Sequence, residues 1–342
     1  MTKQKGISWS RALHLFFLTL GVVLLGVLIW RLDASALLEQ VLAAGWVVLP
    51  AFAAYIGSNL VSTLAWREAI PPAHRVPFLT LFSAFSAGHA VNVVAVGGAG
   101  TFVTGSLASR QTDGGEVMAS LVSYSYLTMV SVFVFTLIGP ALCFVWLDLP
   151  LSLTGTLLGV SIALCVGAYL LRVLLRRGLV GGGLRLLQKL PFVRMKDPEA
   201  LREKAEQVDA RVRSFRGERP RAFRQLVLYL AAARMFQTAE AWFLLQGLFP
   251  DEPLGELALL ALLVQSTAQL IGWTTTFIPG RVGVAEGGMA LLFEFAGLDP
   301  ATGLALGLLR RVRKIVGIGL GLALGAHLEA STPAPDDANQ AA

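Results

Sequence analysis

Two groups of residues in this sequence have the types and spacing for chemistry. One is the stretch Ile278-Pro-Gly-Arg-Val-Gly-Val-Ala-Glu-Gly-Gly288; the other is the cation run Arg310, Arg311, Arg313 and Lys314. The stretch is flanked by the apolar segments Leu257–Phe277 and Met289–Phe295. Pro279, Gly280 and Gly283 would break a helix there. A break at membrane depth leaves N–H and C=O groups that only protein or a wet cavity can satisfy. Arg281 and Glu286 sit in the same break, and an ionisable group inside a membrane marks a functional site by default. The competing reading is a short interfacial loop with both charges in water. Fixed cations beside broken backbone suit an anionic headgroup, because arginine grips phosphate bidentately and open N–H groups add donors.

The elements that must position these residues are membrane helices. Of 342 residues, 55% are hydrophobic and 15% charged, where a soluble domain is nearer 25% charged; the mean hydropathy is +0.66. Apolar runs of roughly 20 residues recur, the length that crosses a bilayer. The sequence therefore predicts an all-α polytopic membrane protein with about seven or eight transmembrane helices. The spans and one polar loop nearly consume the length, so no sizeable soluble catalytic domain is expected. The net charge of +6 reads as positive-inside topology rather than nucleic-acid binding. Cys143 and Cys165 both fall in apolar segments and read as packing residues.

Lys3, Lys5 and Arg11 precede the apolar run Ala12–Trp30, which is longer than a usual signal core and reads as a retained first helix with a cytoplasmic N-terminus. A second helix over about Trp46–Trp66 carries a tryptophan at each end, as interfacial anchors do. The hydrophobic stretch 78–109 contains His89, Asn92, Gly97 and Gly100. As a single crossing it would place the loop between Arg172 and Arg224 outside the cell, yet that loop holds 15 Lys/Arg against 6 Asp/Glu. A re-entrant hairpin over about 78–109 resolves the conflict. Within the cytoplasmic loop, about 178–220, Leu201, Ala205, Val208, Val212 and Phe215 recur at helical spacing. This amphipathic helix, about 197–217, either lies on the inner leaflet or caps the bundle.

The next crossing carries Arg234, Gln237 and Glu240 inside an apolar frame, either bonding neighbouring helices or lining a cavity. Gln265 and Gln269 lie one turn apart on the following helix, and a second broken hairpin follows over about 278–297. The last helix starts at the Asp299 cap, which puts Arg310 roughly 15 Å along its axis, about half the hydrocarbon thickness. Four cations facing lipid there would cost about 2.5–3.5 kcal/mol each. The helix is therefore expected to run straight through with its cations facing water or a buried anion, Glu286 being a candidate partner. Residues 331–342 read as a disordered tail. A shift of 183 superposes Gly97 on Gly280, Gly100 on Gly283, Gly114 on Gly297 and Glu116 on Asp299. That is a degenerate internal repeat of the kind that flags a transporter's binding site.

Enzyme signatures are scarce. Four histidines are scattered without ligand spacing, and there is no phosphate-binding Gly-Lys-Ser/Thr loop, so neither metal nor cofactor is expected. His89 near Asn92 reads as a buried, satisfied histidine or a proton relay.

Pro279-Gly-Arg-Val-Gly-Val-Ala-Glu286, preceded by Ser266 and Leu270 and followed by Arg310, resembles the second signature of the lysylphosphatidylglycerol synthase transmembrane family. These are flippase-like membrane proteins of bacteria and archaea, and the likeness in segment order runs over about residues 10–328. In the first signature Asn92 and Gly100 are kept, while Val96, Gly98 and Thr101 stand where the family has Pro, Arg and Glu. The resemblance implies one flippase-like domain over 1–330 in the bacterial cytoplasmic (inner) membrane, moving a lipid or lipid-linked glycan between leaflets. On that reading Arg281, Arg310 and Arg313 hold an anionic phospholipid or polyprenyl-phosphate headgroup. Glu286 orients them, and Asn92, Gln265, Gln269, Arg234 and Glu240 supply further contacts, with no catalysis in this chain. The alternative is an accessory subunit presenting lipid to a partner biosynthetic enzyme.

Overall fold

The computed structural model describes residues 44–94, 99–109, 114–146, 155–159, 214–275 and 283–331, with isolated positions such as Leu42, Ile278 and Arg281 between them. The expected first helix, Gly97, Pro279, Gly280, most of the cytoplasmic loop and the tail lie outside the described residues.

Every described element is a helix. In chain order they are α1 (Val48–Ala69), α2 (Phe78–Val94), α3 (Ala99–Ala108), α4 (Gly114–Trp146), α5 (Pro220–Leu248), α6 (Leu254–Thr274), α7 (Val284–Phe295) and α8 (Pro300–Ser331). Three of them are long and apolar enough to cross a membrane, over Gly45–Ala69, Gly115–Cys143 and Leu254–Gly272. α5 and α8 have 29 and 32 residues, but the charges in their interiors lower their hydropathy. The outer surface fits lipid. On α4, Val122, Val130, Val134, Ile138, Leu142 and Val145 are all exposed, a stripe at helical spacing that water would not favour.

Glycines set how closely the helices approach, as is common in membrane bundles. A Cβ on Gly57 of α1 would meet the Phe236 ring of α5 at 2.8 Å, and one on Gly303 or Gly307 of α8 would run into α7. Ser58 bonds Gln237 at 3.1 Å, and the Arg219 guanidinium donates to the Glu68 carbonyl at 3.0 Å. Position numbers rise along α1 as they fall along α5, so the two helices run antiparallel.

The 183-residue shift extends beyond the glycines. It carries α1 onto α5, α2 onto α6, α3 onto α7 and α4 onto α8. The packing follows: α2 lies against α8 and α4 against α6, and each short helix packs on its own neighbours. Each long helix also brings a glycine against its partner, Gly139 of α4 against Ser266 of α6 and Gly321 of α8 against Ser86 of α2. Because the corresponding helices α1 and α5 are antiparallel, the two halves form an inverted repeat.

Two hydrophobic cores result, one toward each end of the bundle. One gathers Val47, Ala51, Leu244, Leu245, Val264, Phe293 and Leu306. The other gathers Trp66, Ile70, Leu81, Leu121, Leu226 and Leu230. Trp66 departs from its expected place as an interfacial anchor. It is fully buried and its indole N–H donates to Ser120 at 3.2 Å, because α4 covers the end of α1. Trp46 remains exposed. Cys143 is the expected packing residue, its thiol donating to the Leu259 carbonyl at 3.2 Å.

Candidate functional site

The break between α6 and α7 is held by hydrogen bonds that the sequence makes possible. The Ile278 N–H donates to the Thr275 carbonyl at 2.9 Å, and the Arg281 N–H to the Ile278 carbonyl at 3.3 Å. Arg281 has φ +52° and Gly283 φ +76°. Glycine adopts that left-handed region freely, but arginine does so at a cost of order 1–3 kcal/mol, which the surroundings must impose. Glu286 and Arg311 impose it. One Glu286 oxygen accepts the Gly283 N–H at 2.8 Å, the back-reaching half of a capping box. The other accepts from Arg311, whose guanidinium also reaches the Arg281 carbonyl at 3.4 Å.

Beside this break, between the two cores, lies a cavity of about 400 Å³. Its charged lining is Arg234, Arg281, Arg310, Arg311, Arg313 and Lys314 against Glu240 and Glu286. Among the described residues, six cations against two carboxylates give a formal +4. Both carboxylates are buried and engaged. Glu240, 1% exposed, pairs with Arg313 at 2.8 Å and with Arg310 at 3.5 Å, and Glu286 is tied to Arg311 and Gly283. Arg281 and Lys314 have no ion-pair partner among the described residues, and neither has Arg234, which is 7% exposed.

An amide network joins the two ends of this set. Arg234 donates to the Gln237 oxygen at 2.7 Å, which also accepts from Gln265 at 3.2 Å and Gln269 at 3.1 Å. The Gln265 oxygen accepts from Arg310. Arg313 stacks over the Tyr55 ring, 4.3 Å from its centroid, a cation–π contact.

The structure therefore brings Arg281, Glu286, Arg310, Arg313, Gln265, Gln269, Arg234 and Glu240 onto one cavity. Asn92 is the exception. Its side-chain oxygen accepts the Gly100 N–H at 3.0 Å, clipping α3 to α2, and it does not line the cavity. The reason is local: α2 ends there, and the N–H groups that begin α3 need acceptors. Glu240 lines the cavity and also bonds a neighbouring helix, its carboxylate pairing with Arg310 and Arg313. Tyr55, Ser58, Asn59 and Ser62 of α1 and Tyr124 and Thr128 of α4, none of them singled out by residue type alone, also line the cavity. Their signal was a polar group every three to four residues along otherwise apolar spans.

Fold and site together define an all-α membrane protein built around a buried cationic chamber. The chain belongs to the family described as the lysylphosphatidylglycerol synthase TM region, which matches residues 2–321. No curated protein and no solved structure matches it.

Proposed function

We propose that this protein binds the anionic headgroup of a lipid, or of a lipid-linked glycan, in the central cavity and carries it between leaflets. One observation carries this reading: a chamber inside a lipid-facing bundle holds six cations against two carboxylates, and both carboxylates are already engaged. Uncompensated charge away from water is costly, and a phosphate entering beside Arg281 and Lys314 relieves it. Arg310 and Arg313 hold the floor of the site through Glu240. The inverted repeat supports alternating access around a fixed site. The basic loop supports a bacterial inner-membrane protein crossing several times, N-terminus inside. On this reading the chain performs no catalysis, and transport is downhill or ion-coupled.

The test is headgroup accessibility in reconstituted vesicles containing a fluorescent anionic lipid. Wild type should equilibrate the label between leaflets, and Arg281→Gln with Lys314→Gln should slow this by tenfold or more, the worth of one charge-assisted contact, about 1.5–3 kcal/mol. Equal rates for wild type and a folded double variant would remove the carrier assignment. The accessory-subunit reading predicts a stoichiometric partner enzyme on purification and no lipid movement by the chain alone.

A further inference from the structure

The cavity has two unlike walls. Among the described residues, all of its charged side chains belong to the second half of the chain, from Arg234 to Lys314. The facing wall comes from the first half and, beside the His89 imidazole, presents uncharged groups that include Tyr55, Ser58, Asn59, Ser62, Tyr124 and Thr128. Ser58, Asn59, Ser62 and Tyr124 are 2%, 9%, 8% and 6% exposed. Ser58 and Ser62 on α1, like Tyr124 and Thr128 on α4, are one turn apart, so each pair shares a helix face. The buried Thr128 hydroxyl has no protein partner among the described residues, and a hydroxyl withdrawn from water requires one, so with Tyr124 and Ser62 beside it this wall can hydrogen-bond whatever fills the chamber.

The second wall carries no free carboxylate, as Glu240 and Glu286 are both engaged by arginines. An ammonium entering the chamber would meet a net positive lining and would have to compete with arginines for either carboxylate. The lysyl headgroup in the family's name bears two ammonium groups, which is the wrong charge for this lining. We infer that the cavity selects a phosphodiester bearing an uncharged polyhydroxy group, glycerol or a sugar, and rejects an aminoacylated one. The phosphate sits on Arg281 and Lys314, and the hydroxyls face α1 and α4. A volume near 400 Å³ falls within the range of small-molecule sites, roughly 300–1,000 Å³. This inference rests on the anionic-headgroup reading above and narrows it.

The experiment is equilibrium lipid binding to the full chain in phosphatidylcholine nanodiscs. Three probes carry phosphate and polyol together: phosphatidylglycerol, phosphatidylinositol and a polyprenyl-phosphate hexose. Three more separate the features: phosphatidic acid has phosphate alone, a diacylglycerol glucoside has polyol alone, and lysylphosphatidylglycerol adds positive charge. At least one phosphodiester–polyol should bind about tenfold more tightly than phosphatidic acid, the worth of one or two added hydrogen bonds. Whichever of the three leads identifies the source of the polyol. Lysylphosphatidylglycerol should bind at least tenfold more weakly than phosphatidylglycerol. Charge alone would give the opposite order for phosphatidic acid, whose monoester is the more anionic. Tyr124→Phe with Ser62→Ala should bring the polyol lipids down to phosphatidic acid and leave phosphatidic acid unchanged; if that variant fails to fold, the wild-type series decides alone. Phosphatidic acid or the lysyl lipid binding as tightly as all three polyol lipids overturns the inference. Failure of every anionic lipid, phosphatidic acid included, overturns the anion-carrier reading itself.

Discussion

The two broken hairpins of this protein share a plan and differ in what holds them. In the first, α2 turns back into α3 with Gly88 and Gly100 so close that a Cβ on either would strike the other's carbonyl. An amide clip from Asn92 to the Gly100 N–H completes it. In the second, α6 passes into α7 through a break fixed by Glu286, Arg311 and an arginine in left-handed backbone. The 183-residue shift sets Arg281 against Gly98, Glu286 against Val103, and Arg310, Arg311, Arg313 and Lys314 against Leu127, Thr128, Val130 and Ser131. Fold and chemistry have separated: both halves keep the helix–break–helix course, and one half keeps the charges. The first hairpin is free to pack by contact alone, while the second must balance ions inside a membrane bundle.

The strongest break of this comparison is Glu240→Gln. It removes the carboxylate that Arg310 and Arg313 share and leaves two largely buried cations unpaired. Losing one partner of a buried ion pair costs about 3–5 kcal/mol, and unfolding in detergent measured by denaturant titration should show a loss of that size. A change within experimental error would mean that water, not Glu240, balances those arginines.

Next in size is Gly100→Ala, which attacks the neutral hairpin where it is tightest. The added methyl has only the Gly88 carbonyl and the Asn92 side chain to displace, and backbone yields less readily than a side-chain tip. Overpacking of this kind typically costs about 1–3 kcal/mol. An alanine tolerated at no cost would show the α2–α3 contact to be looser than the glycine pair implies.

Much of this was legible in the sequence, because membrane insertion imposes simple rules. Asp299 caps α8 through its own side chain, accepting the Ala301 N–H at 3.0 Å, and α8 runs unbroken through its four cations. Pro279, the glycines and the Arg–Glu pair mark the second break by residue type alone. The ion-pair partners were not legible. Periodicity places Arg310 and Glu240 on polar faces of their helices, but nothing local states that α5 meets α8, 73 residues on in the case of Arg313. Glu286 is expected as a partner of the four cations, and it pairs with Arg311. The hydroxyl wall escaped for another reason: serine, threonine and tyrosine are ordinary residues of membrane helices, and only their convergence with the arginines makes them a site. Trp66 misled because an aromatic residue at a helix end reads as an interfacial anchor until a neighbouring helix is seen to cover it.

The smallest expected effect makes the sharpest contrast. Asn92→Ala deletes one part-buried hydrogen bond, the acceptor of the Gly100 N–H, so stability should fall by about 0.5–1.5 kcal/mol. Because Asn92 does not line the cavity, binding of an anionic lipid at saturating folded fraction should match wild type within twofold. Arg281→Gln should behave in the opposite sense. It has no ion-pair partner among the described residues to lose, so unfolding should be unchanged or slightly harder, while lipid binding drops. Measuring both variants by both assays tests the division of labour between the hairpins directly. An Asn92→Ala protein that folds normally but loses lipid would move the binding site toward α2, where the family's first signature lies, and the one-sided placement of the chemistry would fall with it.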